Sequence, residues 1–238
     1  MYKNVIEMIK VTRPIHWVKN FFLFGAIFLT GTLFEKGLFK DVFVAFISFS
    51  LAASATYIFN DILDKNSDKL HPIKKSRPIA SGRLPIYLAV FEMLLLITTS
   101  LLIAYSLNNL FFLLTFTYFV MQILYSLGLK NIPVIDILII ATGFIVRVYA
   151  GALVIDAHLS VWFLLCVVSA SLFLAAGKRR SEMNLIDAES GQTRKSLTKY
   201  SRELLNSYVT MFGNATWMSW SLYTFLKVLK LLSIFGWS

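Results

Sequence analysis

Asn60-Asp61-Ile62-Leu63-Asp64-Lys65-Asn66-Ser67-Asp68, followed closely by His71-Pro72-Ile73-Lys74-Lys75-Ser76-Arg77-Pro78, decides how the chain is read. The stretch closes an apolar segment that runs back to about Asp41. Residues four apart share a helix face, so positions 60, 64 and 68 lie one above another. Asp61, Asp64 and Asp68 then crowd at one membrane surface, which is costly unless a cation neutralises them. Carboxylate and amide oxygens suit a hard ion such as Mg2+, which commonly also takes oxygens from a substrate phosphate. Lys74, Lys75 and Arg77 add positive charge just beyond. The pattern points to a metal–diphosphate site at the mouth of a membrane protein. The plainer reading of the same residues is a solvated helix end followed by a basic loop.

Composition sets the class. The 238 residues are 57% hydrophobic and 15% charged, with a mean hydropathy of +0.69. That is too apolar for an ordinary soluble domain. Runs of about twenty apolar residues recur, the length that crosses a bilayer. Seven spans are expected, at about 18–34, 41–60, 85–105, 109–127, 133–155, 160–177 and 206–226. The whole chain, 1–238, reads as a single all-α transmembrane domain, with residues 1–17 as a basic amphipathic segment along the membrane surface. Cys166 is the sole cysteine, so no internal disulfide forms. No signal peptide is read, because the first apolar stretch has full span length and no small-residue cleavage site. Phosphate-binding P-loops, zinc spacings and nucleophile elbows are absent from the sequence.

The net charge of +10 does not require nucleic acid, since basic residues of membrane proteins gather in cytoplasmic loops. The N-terminus and segments 61–84, 128–132 and 178–205 hold most of the Lys and Arg, whereas the alternate loops hold only Lys36 and Lys40. The N-terminus and both long polar segments are therefore expected in the cytoplasm, on one side of the cell membrane. The segments 61–84 and 178–205 can then form one site.

Polar residues inside spans are expensive and each asks for a reason. Asp136 and Arg147 are eleven residues apart, close to three helical turns, and share a face with Gly143. They read either as a buried packing network or as a polar cavity wall. Lys130 follows Tyr125 at a short loop, compatible with phosphate binding or with topology alone. The run Lys178-Arg179-Arg180 at a span end is an anchor on the plain reading, and Glu182 within it either ligates a second metal or orients its basic neighbours. Trp17 suits an interfacial anchor, Lys19 can snorkel, and the lone His16 reads as structural.

Taken together, these residues resemble a known family. Asn60-Asp61-x-x-Asp64-x-x-x-Asp68, followed by Arg77-Pro78, resembles the first motif of the UbiA-type intramembrane transferase superfamily. His71-Pro72-x-Lys74-x-x-Arg77-Pro78-Ile79-Ala80-Ser81-Gly82 is similar to the branch that contains decaprenyl-phosphate phosphoribosyltransferase. So are Arg13-Pro14-x-x-Trp17-Val18-Lys19-Asn20, Tyr125-Ser126-x-x-Leu129-Lys130, Asp136, and Gly177-Lys178-Arg179-x-x-Glu182 with Arg194-Lys195-Ser196-Leu197.

The resemblance implies a helical bundle of about nine spans around a cavity open to the cytoplasm, against the seven counted here. It implies Mg2+-dependent transfer of a 5-phosphoribosyl group from phosphoribosyl pyrophosphate to a polyprenyl phosphate. Asn60, Asp64 and Asp68 would hold the metal, with Asp61 ligating or orienting, so that Asp61, Asp64 and Asp68 carry the catalysis. Lys74 and Arg77 would bind donor phosphates, while Tyr125, Lys130, Asp136 and Arg147 line the cavity. Lys19, Lys178 and Arg179, with Glu182, would hold the acceptor phosphate or the donor 5-phosphate. Prenyl-transferring relatives carry a second Asp-rich motif where this chain has Lys178-Arg179-x-x-Glu182. The alternatives are a prenyltransferase acting on an aromatic or other acceptor, and a non-catalytic lipid-phosphate binder or transporter. Expected partners are the two substrates and the membrane, without nucleic acid; the oligomeric state, a homo-oligomer included, is left open.

Overall fold

A computed structural model describes residues 2–186 and 200–234, and all regular structure among them is helical. The elements are α1 (Tyr2–Val11), a 3-10 segment (Pro14–Phe24), α2 (Gly25–Thr30), α3 (Leu38–Leu63), α4 (Lys65–Leu70), α5 (Ile86–Leu107), α6 (Asn109–Leu127), α7 (Ile135–Val154), α8 (Val161–Ile186) and α9 (Arg202–Ile234). Among the described residues, five helices are long and apolar enough to cross a membrane: α3, α5, α6, α7 and residues Val161–Met183 of α8. The protein is a multi-pass membrane protein, as its composition requires.

α3 is the hub. It is buried on most of its circumference, from Val42 and Ala45 through Phe49, Ala52, Ala53 and Ala55 to Ile58. Small residues let neighbours approach closely where lipid offers no hydrophobic drive to associate. Serines bind the seams. Ser48 Oγ donates to the Ser100 carbonyl at 2.8 Å and Ser100 Oγ returns to the Ser48 carbonyl at 2.7 Å, locking α3 to α5.

The expectation of one uninterrupted span over 18–34 is corrected. The chain there runs as the 3-10 segment Pro14–Phe24, then as α2, and ends at Gly31, whose φ of +77° only glycine adopts freely. The reason lies in its partners. Trp17 Nε1 donates to Ser54 Oγ at 3.0 Å, and Asn20 Nδ2 donates to Ser50 Oγ at 2.9 Å. Three residues of 3-10 helix and four of α-helix both rise about 6 Å. A 3-10 winding therefore brings positions 17 and 20 into register with positions 54 and 50. On its other side the segment meets α7, where Gly151 leaves no room for a Cβ against the Leu23 carbonyl.

Contacts fix which ends lie together. Lys130 after α6 reaches Asp64 after α3. Arg179 of α8 reaches Asp136 of α7, and Tyr200 before α9 reaches Asp136 as well. The described residues of the basic stretches predicted to share one side thus lie at one end of the bundle. The second polar segment begins later than expected, because α8 continues to Ile186 and Lys178–Glu182 are helical. The expected span 206–226 lies inside the longer α9, which is helical but is not among the five helices apolar enough to cross a membrane. Arg194, Lys195, Ser196 and Leu197 fall outside the described residues.

Candidate active site

The last turn of α3 carries Asn60 and Asp61, and Asp64 closes the helix with its N–H on the Asn60 carbonyl at 2.9 Å. The four-residue spacing behaves as a helix dictates: Asn60 Nδ2 donates to Asp64 Oδ2 at 3.0 Å. Lys130 Nζ lies 2.7 and 2.9 Å from the two Asp64 oxygens and 3.5 Å from Asn60 Oδ1. At Asp64 (φ −85°, ψ 4°) the chain leaves α3 for α4, so Asp68 no longer continues the same face. Arg77 takes Asp68 instead, with Nη1 2.6 Å from Asp68 Oδ2 and 3.1 Å from Asp61 Oδ1. The trio Asn60, Asp64 and Asp68 expected from helical spacing is therefore regrouped into two pairs, Asn60 with Asp64 and Asp61 with Asp68.

Pro78 and the turn beyond it place Arg77. A residue before proline is confined to extended backbone, and Arg77 has φ −62° and ψ 146°. The chain then turns at Gly82 (φ +78°) and buries Ile79, Ala80 and Leu84 near Ile58 and Val11. That apolar plug anchors the guanidinium over the acids. Arg13, which the sequence offered only as part of a motif, also belongs to the cluster. It stands in left-handed backbone (φ 53°, ψ 60°) after α1, pairs with Asp61 Oδ1, and lies 5.4 Å from the Tyr57 ring. Asp61 is the most enclosed acid of the three, and its Oδ2 is buried with no hydrogen-bond partner.

His16, read as structural, faces this cationic group. Burial lowers its pKa first, and then Lys19, Arg13, Lys178 and Arg77 do so by charge repulsion. Lys19 makes no ion pair among the described residues. Lys74 and Lys178 are exposed at the same end.

The expected phosphate-binding role of Arg179 is corrected. Its side chain is fully buried, and all three nitrogens are used: Nε on Asp136 Oδ2 at 2.5 Å, Nη1 on Glu182 Oε2 at 2.5 Å, and Nη2 on the Tyr125 hydroxyl at 3.0 Å. Tyr200, which the sequence pattern did not single out, completes this knot. Its hydroxyl donates to Asp136 Oδ1 at 2.6 Å and accepts from the Val134 N–H at 2.5 Å. Burial, and then the bond to Asp136, raise the Tyr200 pKa. Val134 is held at φ 67°, a costly value for a β-branched residue, directly before the helix that presents Asp136.

Asp136 and Arg147 share a helix but not a partner. Arg147 donates to Asn20 Oδ1 at 2.7 Å, to the Tyr118 hydroxyl at 3.0 Å and to the Gly143 carbonyl. The rings of Phe49 and Tyr118 lie 5.3 and 5.1 Å from its guanidinium carbon. Gly143 leaves space for Arg147 itself: a Cβ there would come within 3.3 Å of Nη1.

Among the described residues no group of three or more His, Cys, Asp or Glu is arranged to hold a metal alone. Mg2+ typically takes one or two carboxylates and completes its shell with water and phosphate oxygens. A paired set of oxygen donors with one orphaned carboxylate oxygen fits that habit.

The model of the UbiA prenyltransferase family matches residues 20–236. Decaprenyl-phosphate phosphoribosyltransferase of Mycolicibacterium smegmatis is 37% identical over 230 residues, which cover 94% of this chain and 72% of that protein. The protein of the same name in Corynebacterium glutamicum is 37% identical over 228 residues, covering 94% and 69%. A UbiA homolog from Archaeoglobus fulgidus, solved with DMAPP and Mg2+, matches 97% of this chain and 83% of that one with a TM-score of 0.78 at 18% identity, a likeness of fold. By sequence and by fold, this chain belongs to the UbiA prenyltransferase family.

Proposed function

We propose that the protein is a membrane-embedded transferase that moves a 5-phosphoribosyl group from phosphoribosyl pyrophosphate to a polyprenyl phosphate. The observation that carries this reading is the interleaving of Asp61, Asp64 and Asp68 with three fixed cations, Arg13, Arg77 and Lys130. Such a set offers oxygens to a metal and positive charge to a diphosphate. The names of the relatives at 37% identity support the substrate pair. The run Lys178-Arg179-x-x-Glu182, standing where prenyl-transferring relatives carry a second Asp-rich motif, supports it against a prenyl-transferring chemistry with two acidic metal clamps.

In the reaction, an oxygen of the polyprenyl phosphate attacks the anomeric carbon of the donor. The bond from that carbon to the pyrophosphate oxygen breaks, and pyrophosphate leaves with the electron pair. The attacking phosphate is already ionised at neutral pH, so no strong base is needed. Asp64 and Asp68, with Asn60 and the enclosed Asp61, would hold Mg2+, which lowers the charge on the leaving pyrophosphate when bound. Arg77, Lys130 and Arg13 stabilise the negative charge that develops on that group. Lys19, Lys74 and Lys178 supply further positive charge for the remaining phosphates, and fixing both anions together supplies proximity. The concentration of Lys and Arg at this end of the bundle supports a site that faces the cytoplasm from the cell membrane.

The test is purified protein in detergent with phosphoribosyl pyrophosphate, a polyprenyl phosphate and Mg2+, read by pyrophosphate release and mass spectrometry of the lipid. The lipid is expected to gain one phosphoribosyl unit, and Asp64→Asn to lower turnover by about 10²–10³-fold, the scale of losing a key electrostatic group. Pyrophosphate release from a polyprenyl diphosphate, with no product from the ribosyl donor, would replace this reading with prenyl transfer.

A further inference from the structure

The acidic cluster is balanced from within. Asp61, Asp64 and Asp68 bring three negative charges, and Arg13, Arg77 and Lys130 bring three positive ones. The cations rest where a metal would have to enter. The Lys130 ammonium sits where both Asp64 oxygens and Asn60 Oδ1 converge, at 2.7, 2.9 and 3.5 Å. The Arg77 guanidinium joins Asp68 to Asp61, and Arg13 shares the same Asp61 oxygen.

A divalent ion arriving alone displaces an ammonium or guanidinium and leaves it without a counter-charge in a part-buried site, a costly exchange. A diphosphate arriving alone meets cations already engaged and carboxylates that repel it. When the two arrive together, the ion takes the carboxylate and amide oxygens while the displaced cations take the diphosphate oxygens. Every charge then regains a partner.

We propose that Arg13, Arg77 and Lys130 are exchangeable counter-ions, held by the carboxylates without ligand and passed to the diphosphate when metal binds, so that metal and diphosphate bind as a mutually dependent pair. This rests on the metal–diphosphate reading of the site. Such coupling is reciprocal, each ligand tightening the other by the same factor. It also acts on release: once pyrophosphate departs with its metal, the cations return to the carboxylates and oppose rebinding. The Tyr57 ring, 5.4 Å from the Arg13 guanidinium carbon, gives Arg13 a contact that does not depend on Asp61 during the exchange.

The experiment measures binding rather than turnover, on the full chain in detergent, with Mn2+ followed by electron paramagnetic resonance and radiolabelled inorganic pyrophosphate by retention. Lys130→Met and Lys130→Gln are compared with the unaltered protein. The Lys130 and Asp64 side chains are 13% and 29% exposed, so losing this pair leaves a solvated carboxylate and a folded protein, checked by thermal unfolding. Both variants are expected to bind Mn2+ alone about tenfold more tightly, and to bind pyrophosphate at saturating Mn2+ about tenfold more weakly, a typical size of coupling. Mn2+ binding to the variants no tighter than to the unaltered protein would overturn the exchange and leave the site reading standing. Failure of the unaltered protein to retain pyrophosphate at any Mn2+ concentration would overturn both.

Discussion

At the scale of single residues, His16 shows how position outweighs type. In the sequence it is one histidine among apolar neighbours. In the structure its pKa lies below the ordinary value of 6.5, through burial and then through Lys19, Arg13, Lys178 and Arg77. The folded protein therefore binds the imidazole proton less readily than the unfolded chain does. Its stability is full above pH 6.5 and is lost as pH falls from there towards the lowered value. Thermal unfolding followed from about pH 7.5 down to about pH 5.5 is expected to show this loss, and His16→Gln to reduce it. An unchanged acid profile in the variant would mean that neither burial nor the four cations act on this ring. Arg13 teaches a similar lesson. Its motif marked it, but only the backbone turn after α1 brings it onto Asp61, 48 positions away.

At the scale of elements, five of the seven expected spans were legible because apolar runs of bilayer length have few other uses. The winding of the first one was not. Residues 18–34 carry the composition of an ordinary span, and nothing in their own pattern dictates a 3-10 helix. The dictate comes from Ser50 and Ser54, whose α-helical spacing Asn20 and Trp17 must match. The close approach of this segment to α7 is equally non-local. Gly151→Ala would drive a Cβ into the Leu23 carbonyl, against backbone that has no flexible end to give way. Forced shifts of this kind cost about 1–3 kcal/mol or more. The variant is expected to unfold at a lower temperature in detergent, whereas Gly177→Ala, with open space at the Cβ, is expected to keep its melting temperature. Equal melting temperatures for the two variants would count against the close packing.

At the scale of the whole molecule, α7, α8 and the approach to α9 are joined by one buried knot of Asp136, Arg179 and Tyr200. Removing one member of a buried pair leaves an unpartnered charge and typically costs about 3–5 kcal/mol, while replacing both with apolar groups is often near neutral. Asp136→Leu and Arg179→Met are each expected to destabilise strongly, and the double variant to recover most of the loss. A double-mutant cycle on thermal stability measures this coupling; additive losses would show that the two side chains do not act as a pair.

By itself the sequence determined the class of protein, five of the spans and the end of the bundle that carries the charge, and it offered the Asn60–Asp68 stretch as the place to look for chemistry. Those readings need only hydropathy, local helix geometry and charge patterning, which act over one or two turns. Tertiary structure decided which charges belong to one another. Asp68 went to Arg77, Asp64 to Lys130, Asp61 to Arg13 as well as Arg77, and Arg179 into the interior with Asp136. An ion pair depends on distance through space, and a linear pattern of acids and bases leaves that distance open until the helices are packed.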